Sequence, residues 1–414
     1  MNEAKQKFCL TGLERAWILY DVGNSAFVLL VATLIPIFFN ALAEGGGLSS
    51  VEYLAYWGYA ASAVTVITAV LSPILGTLAD TRNYKKPIFT FCVAVGVIGC
   101  CAMGMASAWL PFLLIFIFAK VGFSGSLVFY DSMLSDVTVP DRMDEVSSKG
   151  YAWGYIGSCV PFVVCLALVL GAGSIGISQM TALNLALFIT AAWWLVTTLP
   201  LLRQYKQVHF VEVQEHAIRQ SFARIGHTLR HLKEDRQVFW FLLAFFCYID
   251  GVYTIIDMAT AYGTALGLDT TGLLLALLVT QIVAFPSALV FGRLSGQYPS
   301  GTLIPVCIAA YAGIALFAFF LKHQWQFWVL AVVVGMFQGG IQALSRSHFA
   351  KIIPPEKSGE YFGLFDICGK GASFLGTMIV SVGSQLTGSA NVGVGSLIVL
   401  FVVGFVLFRV SDQK

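Results

Sequence analysis

IFTFCVAVGVIGCCAMGMASA (88–108) runs for twenty-one residues without a charge, one residue after Lys85 and Lys86. At about 1.5 Å per residue, a helix of that length crosses the roughly 30 Å hydrocarbon core of a bilayer. Lipid offers the backbone no hydrogen-bond partner, so a crossing segment must satisfy its own N–H and C=O groups, and a helix does so. A membrane barrel would need alternating segments of about ten residues, and the chain has none.

Working outward, similar apolar runs fall at 14–40, 52–79, 111–135, 150–171, 180–202, 238–264, 271–292, 302–321, 326–350, 360–384 and 391–409. The 414 residues are 58% hydrophobic and 11% charged, against roughly 25% charged in soluble domains. That leaves too little polar surface for water. Twelve spanning helices with short loops use nearly the whole chain, so the expected class is an all-α membrane protein without a large soluble domain. The net charge of +2 says little, because the position of the charges matters more than their sum. The nine cysteines lie mostly inside apolar runs, and adjacent Cys100 and Cys101 fit neither zinc spacing nor a disulfide framework. MNEAKQKFCLTGLERAW, at the start, carries no signal-peptide pattern.

Charge placement sets the orientation. Arg82, Lys85 and Lys86 follow span 2, Arg142 and Lys149 follow span 4, and Arg203 to Arg236 follow span 6. Arg293 follows span 8, and Lys351 and Lys357 follow span 10. The alternate loops hold almost no Lys or Arg, Lys322 excepted. The positive-inside rule then puts both termini in the cytoplasm, which an even count of twelve permits. The polar stretch 203–237 divides the chain into 1–202 and 238–414, six spans each. Within it Ile218, Phe222, Ile225, Leu229 and Leu232 recur every three or four residues, with Arg219, Arg224, Arg230 and Lys233 on other faces. This is the pattern of an amphipathic helix on the cytoplasmic leaflet, or of a solvated linker with a helical turn or two.

The two parts resemble each other. GSLVFYDSMLSDVTVPD (125–141) aligns without a gap to GGIQALSRSHFAKIIPP (339–355), and spans 1 and 7 each carry an Asp after an aromatic turn, Asp21 and Asp250. GTLADTRNYKK (76–86) resembles the signature loop of the major facilitator superfamily through Gly76, Leu78, Ala79, Asp80 and Lys85, with Arg82 between. Asn83 replaces the second glycine and tolerates the left-handed turn that glycine would make. Gly76 would let a neighbouring helix approach closely, and Asp80 would face a helix amino terminus or a basic residue when the cytoplasmic side is closed. The alternative is that Arg82, Lys85 and Lys86 are only positive-inside charges. The counterpart loop, GRLSGQYPSG (292–301), has Gly296 where the Asp would be. WILYDVGNSAF (17–27) and GGIQALSRSHFAKIIPPEKSGEYFGLFDICGKGASFLG (339–376) are similar to the vacuole effluxer branch of that superfamily. The resemblance implies two pseudo-symmetric six-helix bundles with a solute site between them, and export of amino acids or similar small molecules in the fungal members. The short loops point to a bacterial-type member in the plasma membrane; a fungal chain would sit in the vacuolar membrane.

A charge at the membrane centre costs at least ~2.5–3.5 kcal/mol, so each one needs a reason. Asp21 and Asn24 lie one turn apart, and Asp250 and Asp257 two turns apart on one face. These four can bind solute or carry a proton; alternatively Asp21 and Asn24 bond between helices, or Gly23 and Asn24 mark a local break. Asp366 and Lys370 are spaced to pair on one helix face. Arg346 either snorkels to the headgroups or faces Asp21 or Asp366 as an anion anchor. Lys120 can reach a solute carboxylate, and Gln281, Gln338 and Gln342 are candidate donors, the last two on one face. GFSGS (122–126), GYIGS (154–158), GGIQA (339–343) and GKGAS (369–373) suit close helix crossings. Pro36, Pro73, Pro161 and Pro286 are expected to kink helices.

There is no G-x-x-x-x-G-K-[ST] loop, HExxH, GxSxG or CxxC, so no ATP motor, metal, cofactor or enzymatic centre is expected. The function expected is secondary transport of a small polar, amino-acid-like solute, by efflux and with protons as the coupling ion. The partners expected are that solute, protons and the bilayer, with no nucleic acid, and the chain is expected to be a monomer. The competing reading is a transporter-like sensor or assembly partner that signals through the amphipathic linker.

Overall fold

The computed structural model describes residues 9–212, 230, 232 and 235–412, with backbone alone at 370–374 and a few other helical positions. The predicted amphipathic helix falls almost entirely outside the described residues. Among these residues the only β-structure is an isolated bridge, Thr81 to Val211.

The helices are α1 (Gly12–Ala32), α2 (Leu34–Gly45), α3 (Ser50–Ala79), α4 (Lys85–Met103), α5 (Trp109–Ser132), the short α6 (Leu134–Val137), α7 (Pro140–Leu170) and α8 (Gln179–Gln204). After the linker come α9 (Arg236–Ala265), α10 (Thr270–Leu294), α11 (Ser300–Phe319), α12 (Gln324–Ile352), α13 (Ser358–Thr387), the short α14 (Ala390–Gly395) and α15 (Ile398–Asp412). Eleven stretches, two of them joining neighbouring helices, are long and apolar enough to cross a bilayer. The 30-residue α13 lies where the remaining expected span falls.

Local chemistry explains the ends. Thr11 with Glu14, and Ser49 with Glu52, form reciprocal capping boxes that satisfy the first free amides of α1 and α3. Asp269 caps α10, and Gly388, at φ 67°, ends α13 in the left-handed conformation. Asn83, at φ 66°, makes the turn between α3 and α4. The helix breaks at Thr33, because Pro36 has no amide to bond back to Ala32. Gly23 and Asn24, in contrast, lie inside unbroken helix, so the local break considered there is not present. Pro73, Pro161 and Pro286 likewise lie within continuous helices. α7 starts ten residues before the apolar run does, because its first turns, DRMDEVSSK, are polar.

Within the first group of helices α1 packs on α7 and α8, and α4 on α5 and α8. Within the second, α9 packs on α13 and α15, and α10 on α12. The groups meet chiefly along two seams, α3 against α13 and α7 against α10 and α12. Glycine permits the first seam: a Cβ on Gly76 would lie 2.1 Å from the Gly359 carbonyl oxygen, and one on Gly363 2.7 Å from Pro73 Cα. Gly292 plays the same part in the second, against Ser148.

Candidate functional site

Between the two groups lies a cavity of about 380 Å³, lined from α1, α5, α7, α9, α10, α12 and α13. Asp21, Asn24, Lys120, Asp257, Gln281, Gln338, Gln342, Arg346 and Asp366 all face it. Asp131 and the tyrosines 130, 151, 155 and 253 join them. Of the residues named from sequence, Asp250 is absent from the lining, and the Lys370 side chain lies outside the described residues, as does its expected pairing with Asp366.

Arg346 forms the floor. It is 2% exposed and reaches from α12 into the first group of helices. Its Nη1 lies 3.0 Å from Asp131 Oδ1 and 3.8 Å from Asp21 Oδ2. Its Nε donates to Ser147 Oγ at 2.9 Å and its Nη2 to the Ser147 carbonyl at 3.0 Å. The guanidinium stacks 4.3 Å from the Tyr151 ring centre and 4.7 Å from Trp17. It therefore does not snorkel, and it faces Asp21 rather than Asp366. Asp366 accepts instead from Ser72 Oγ, at 2.7 Å across the other seam. A buried charge with fewer partners would cost several kcal/mol. Tyr130 donates to Asp21 Oδ2 at 3.1 Å and stacks on Trp17, whose indole donates to the Tyr130 carbonyl at 2.9 Å. Asp21 is thus fixed from two helices.

Higher in the cavity, the Lys120 ammonium lies 4.8 Å from the Phe123 ring centre, and Asp257 is exposed to the open space. Tyr155 donates to Gln342 Oε1 at 3.4 Å between the groups. Asp250 is 0% exposed; its Oδ1 accepts from the Gly376 amide at 2.9 Å and from Thr254 at 3.3 Å. The seven-residue spacing put Asp250 and Asp257 on one face, yet α13 covers that face at Asp250 and the cavity opens at Asp257.

Below the floor is the basic end of the bundle. Asp80 accepts from the first amides of α13, Gly359 at 2.7 Å and Glu360 at 2.9 Å. An anion at a helix amino terminus meets unpaired amides and the positive end of the dipole. Lys85 is fully buried, 3.7 Å from Asp80, 3.8 Å from Asp136, and donates to Ser358 Oγ at 2.8 Å. Asp144 accepts from Ser347 at 2.6 Å and from Lys351 at 2.5 Å. Apart from the Tyr155–Gln342 bond, every polar contact named between the groups lies at the cavity floor or on its basic side. Arg82 makes none of them: it pairs at 3.5 Å with Glu212 and stacks on Phe210.

A strap unforeseen in the sequence completes this end. Residues 205–212 fold back over the α3–α4 turn, where Val211 N donates to the Asp80 carbonyl at 2.8 Å and Arg82 N to the Val211 carbonyl at 3.1 Å. Asp136 anchors the strap, accepting from Tyr205 Oη at 2.5 Å and from the His209 amide at 2.9 Å, with His209 Nδ1 at 3.0 Å. Burial alone would push the Asp136 carboxyl up, but hydrogen bonds from His209 and Tyr205 and the Lys85 charge hold it below its ordinary value. The Asp136 hydrogen bond in turn raises His209 against the opposing effect of burial.

The model of the Atg22-like vacuole effluxer family matches residues 13–141 and 135–414. An uncharacterized MFS-type transporter of Bacillus subtilis, YxiO, is 42% identical over 98% of this chain and 96% of its own length. Autophagy-related protein 22 of Coccidioides immitis is 24% identical over 83% of this chain and 70% of its own. Among solved structures, the transporter FucP in an outward conformation superposes with a TM-score of 0.73, at 16% identity, covering 97% of this chain and 98% of FucP. The human organic anion transporter MFSD10 reaches 0.72 at 13% identity, covering 96% and 98%. The chain therefore belongs to the Atg22-like vacuole effluxer family, as a multi-pass membrane protein of the major facilitator transporter type.

Proposed function

We propose that the chain is a secondary active transporter that carries a small polar solute by alternating access, with amino acids as the class to test first. The cavity carries this reading. Both groups of helices line it, and carboxylates, two cations, amides and tyrosine hydroxyls face one space. A zwitterion can satisfy both signs there, with Lys120 or Arg346 toward its carboxylate and Asp257 toward its ammonium. The closed basic side suits one end state of such a cycle, and likeness to a transporter in an outward conformation supports it. On this reading twelve helices cross the membrane in two bundles, 1–202 and 238–414, joined by 203–237. Both termini are cytoplasmic, the membrane is the bacterial plasma membrane, and the monomer exports its solute by coupling to a proton gradient.

The test is counterflow and uptake in proteoliposomes with a pooled amino-acid panel and an imposed pH gradient. Wild type should show saturable flux, and Asp21→Asn, which loosens the seat of Arg346, should lose it. No flux for any amino acid with folded, inserted protein would remove amino acids as the substrate class.

A further inference from the structure

Asp250 stands out once the cavity is assigned its residues. It lies mid-helix in α9, 0% exposed and outside the cavity lining. Its Oδ1 has two donors, the Gly376 amide and Thr254 Oγ1, whereas its Oδ2 is buried without a hydrogen-bond partner. Among the described residues no Lys, Arg or His pairs with it; on its own helix face the titratable groups are Cys247, one turn before it, and Asp257, two turns on in the cavity. The site is built closely. A Cβ on Gly376 would lie 2.1 Å from Thr254 Oγ1 and 2.6 Å from Asp250 Oδ1. At the next residue, a Cβ on Gly251 would strike the Phe401 ring of α15 at 2.5 Å. Only glycine lets the α13 backbone reach the carboxyl.

An ionised carboxylate sealed in this way, with no cation against it among the described residues, goes largely unrepaid for its lost hydration, a cost of several kcal/mol. A neutral acid avoids most of that cost. Asp21 is the contrasting case, since the Arg346 guanidinium lies 3.8 Å away. We propose that Asp250 is the coupling-proton site, distinct from the solute cavity, and that it acts through the contact between α9 and α13. The inference rests on the transport reading above. In the conformation described, an O–H bond on Oδ2 holds the proton. When α9 and α13 part, water reaches the carboxyl, that bond breaks, and the proton leaves to the side then open. α13 links this to the gate, because its first amides hold Asp80, its Asp366 accepts from Ser72, and its Gly376 holds Asp250. A bare charge on Asp250 therefore favours separation of the helix that latches the basic end.

The experiment is infrared difference spectroscopy of the full chain in phosphatidylethanolamine–phosphatidylglycerol vesicles, from mildly acidic to mildly alkaline pH, with no solute added. Wild type should show the C=O stretch of a protonated carboxyl at neutral pH, sensitive to deuterium. The band should vanish in Asp250→Asn and move in Asp250→Glu. Coincident carboxyl spectra for wild type and an Asp250→Asn protein of unchanged melting temperature would overturn the proposal. Should the Asn variant misfold, the Asp250→Glu spectrum decides: an unshifted band likewise overturns it. Because the readout needs no transported solute, a silent amino-acid panel leaves this result standing on its own.

Discussion

Replacing Asp136 by Asn removes the charge at the centre of the basic end. The side chain is fully buried, with Tyr205 Oη at 2.5 Å, the His209 amide at 2.9 Å, His209 Nδ1 at 3.0 Å and Lys85 Nζ at 3.8 Å. Hydrogen bonds to a charged group are each worth about 1.5–3 kcal/mol net. Asn retains an oxygen for the strap's amides, and Lys85 retains Asp80 at 3.7 Å, so neither group is wholly abandoned. The charge facing both His209 and Lys85 is lost. We expect a destabilisation of about 2–4 kcal/mol, short of the full cost of a broken buried pair. The pH dependence follows from the two shifts. His209 is raised, so its contribution is complete below the ordinary histidine value of about 6.5 and is lost as pH rises through its higher folded value. Asp136 is lowered, so its contribution is complete above about 3.9 and is lost as pH falls through its lower folded value. Wild type should be most stable between these limits, and both slopes should flatten in Asp136→Asn. Thermal unfolding of the purified protein in detergent, followed by tryptophan fluorescence over a pH series, measures this. Arg82→Ala is the control, because the Arg82–Glu212 pair, with side chains 53% and 71% exposed, should contribute about 0–1 kcal/mol. An Asn variant that melts with wild type and keeps its pH slopes would refute the reasoning.

Arg346→Lys keeps the charge but loses the planar fork that meets Asp131 and both Ser147 oxygens, so proteoliposome counterflow should fall about tenfold or more, a loss of ~1.4 kcal/mol sufficing for that. Gly76→Ala puts a Cβ 2.1 Å from the Gly359 carbonyl oxygen and should force α3 from α13; maleimide labelling of a Ser358→Cys background should then speed up. Asn83→Gly should be neutral or slightly stabilising at φ 66°, whereas Asn83→Val should cost about 1–2 kcal/mol in thermal unfolding.

The membrane class and the positions of the long helices were legible because lipid imposes one demand, apolar length, that hydropathy reads directly. Loop chemistry was legible where one residue decides a conformation, as Asn83 does in the α3–α4 turn. The first turns of α7 were not, since DRMDEVSSK continues the helix beyond the apolar layer where hydropathy carries no signal. The family was readable in WILYDVGNSAF and in 339–376, because those residues include the ones that now face the cavity or meet across the helices.

What the sequence could not determine was the destination of each polar side chain. Asp21 and Asp250 occupy similar settings along their helices, yet one meets Arg346 at the cavity floor and the other a glycine amide of α13. Asp250 and Asp257 share a helix face, and only the crossing of α13 separates a sealed carboxyl from an open one. Residues 205–212 have no helical period, and their role comes from Asp136, some seventy residues earlier in the chain. Composition and periodicity fix what lipid and backbone require of a segment by itself; partners distant in sequence are chosen only when the helices pack, because burial and hydrogen-bond satisfaction are properties of the assembled neighbourhood.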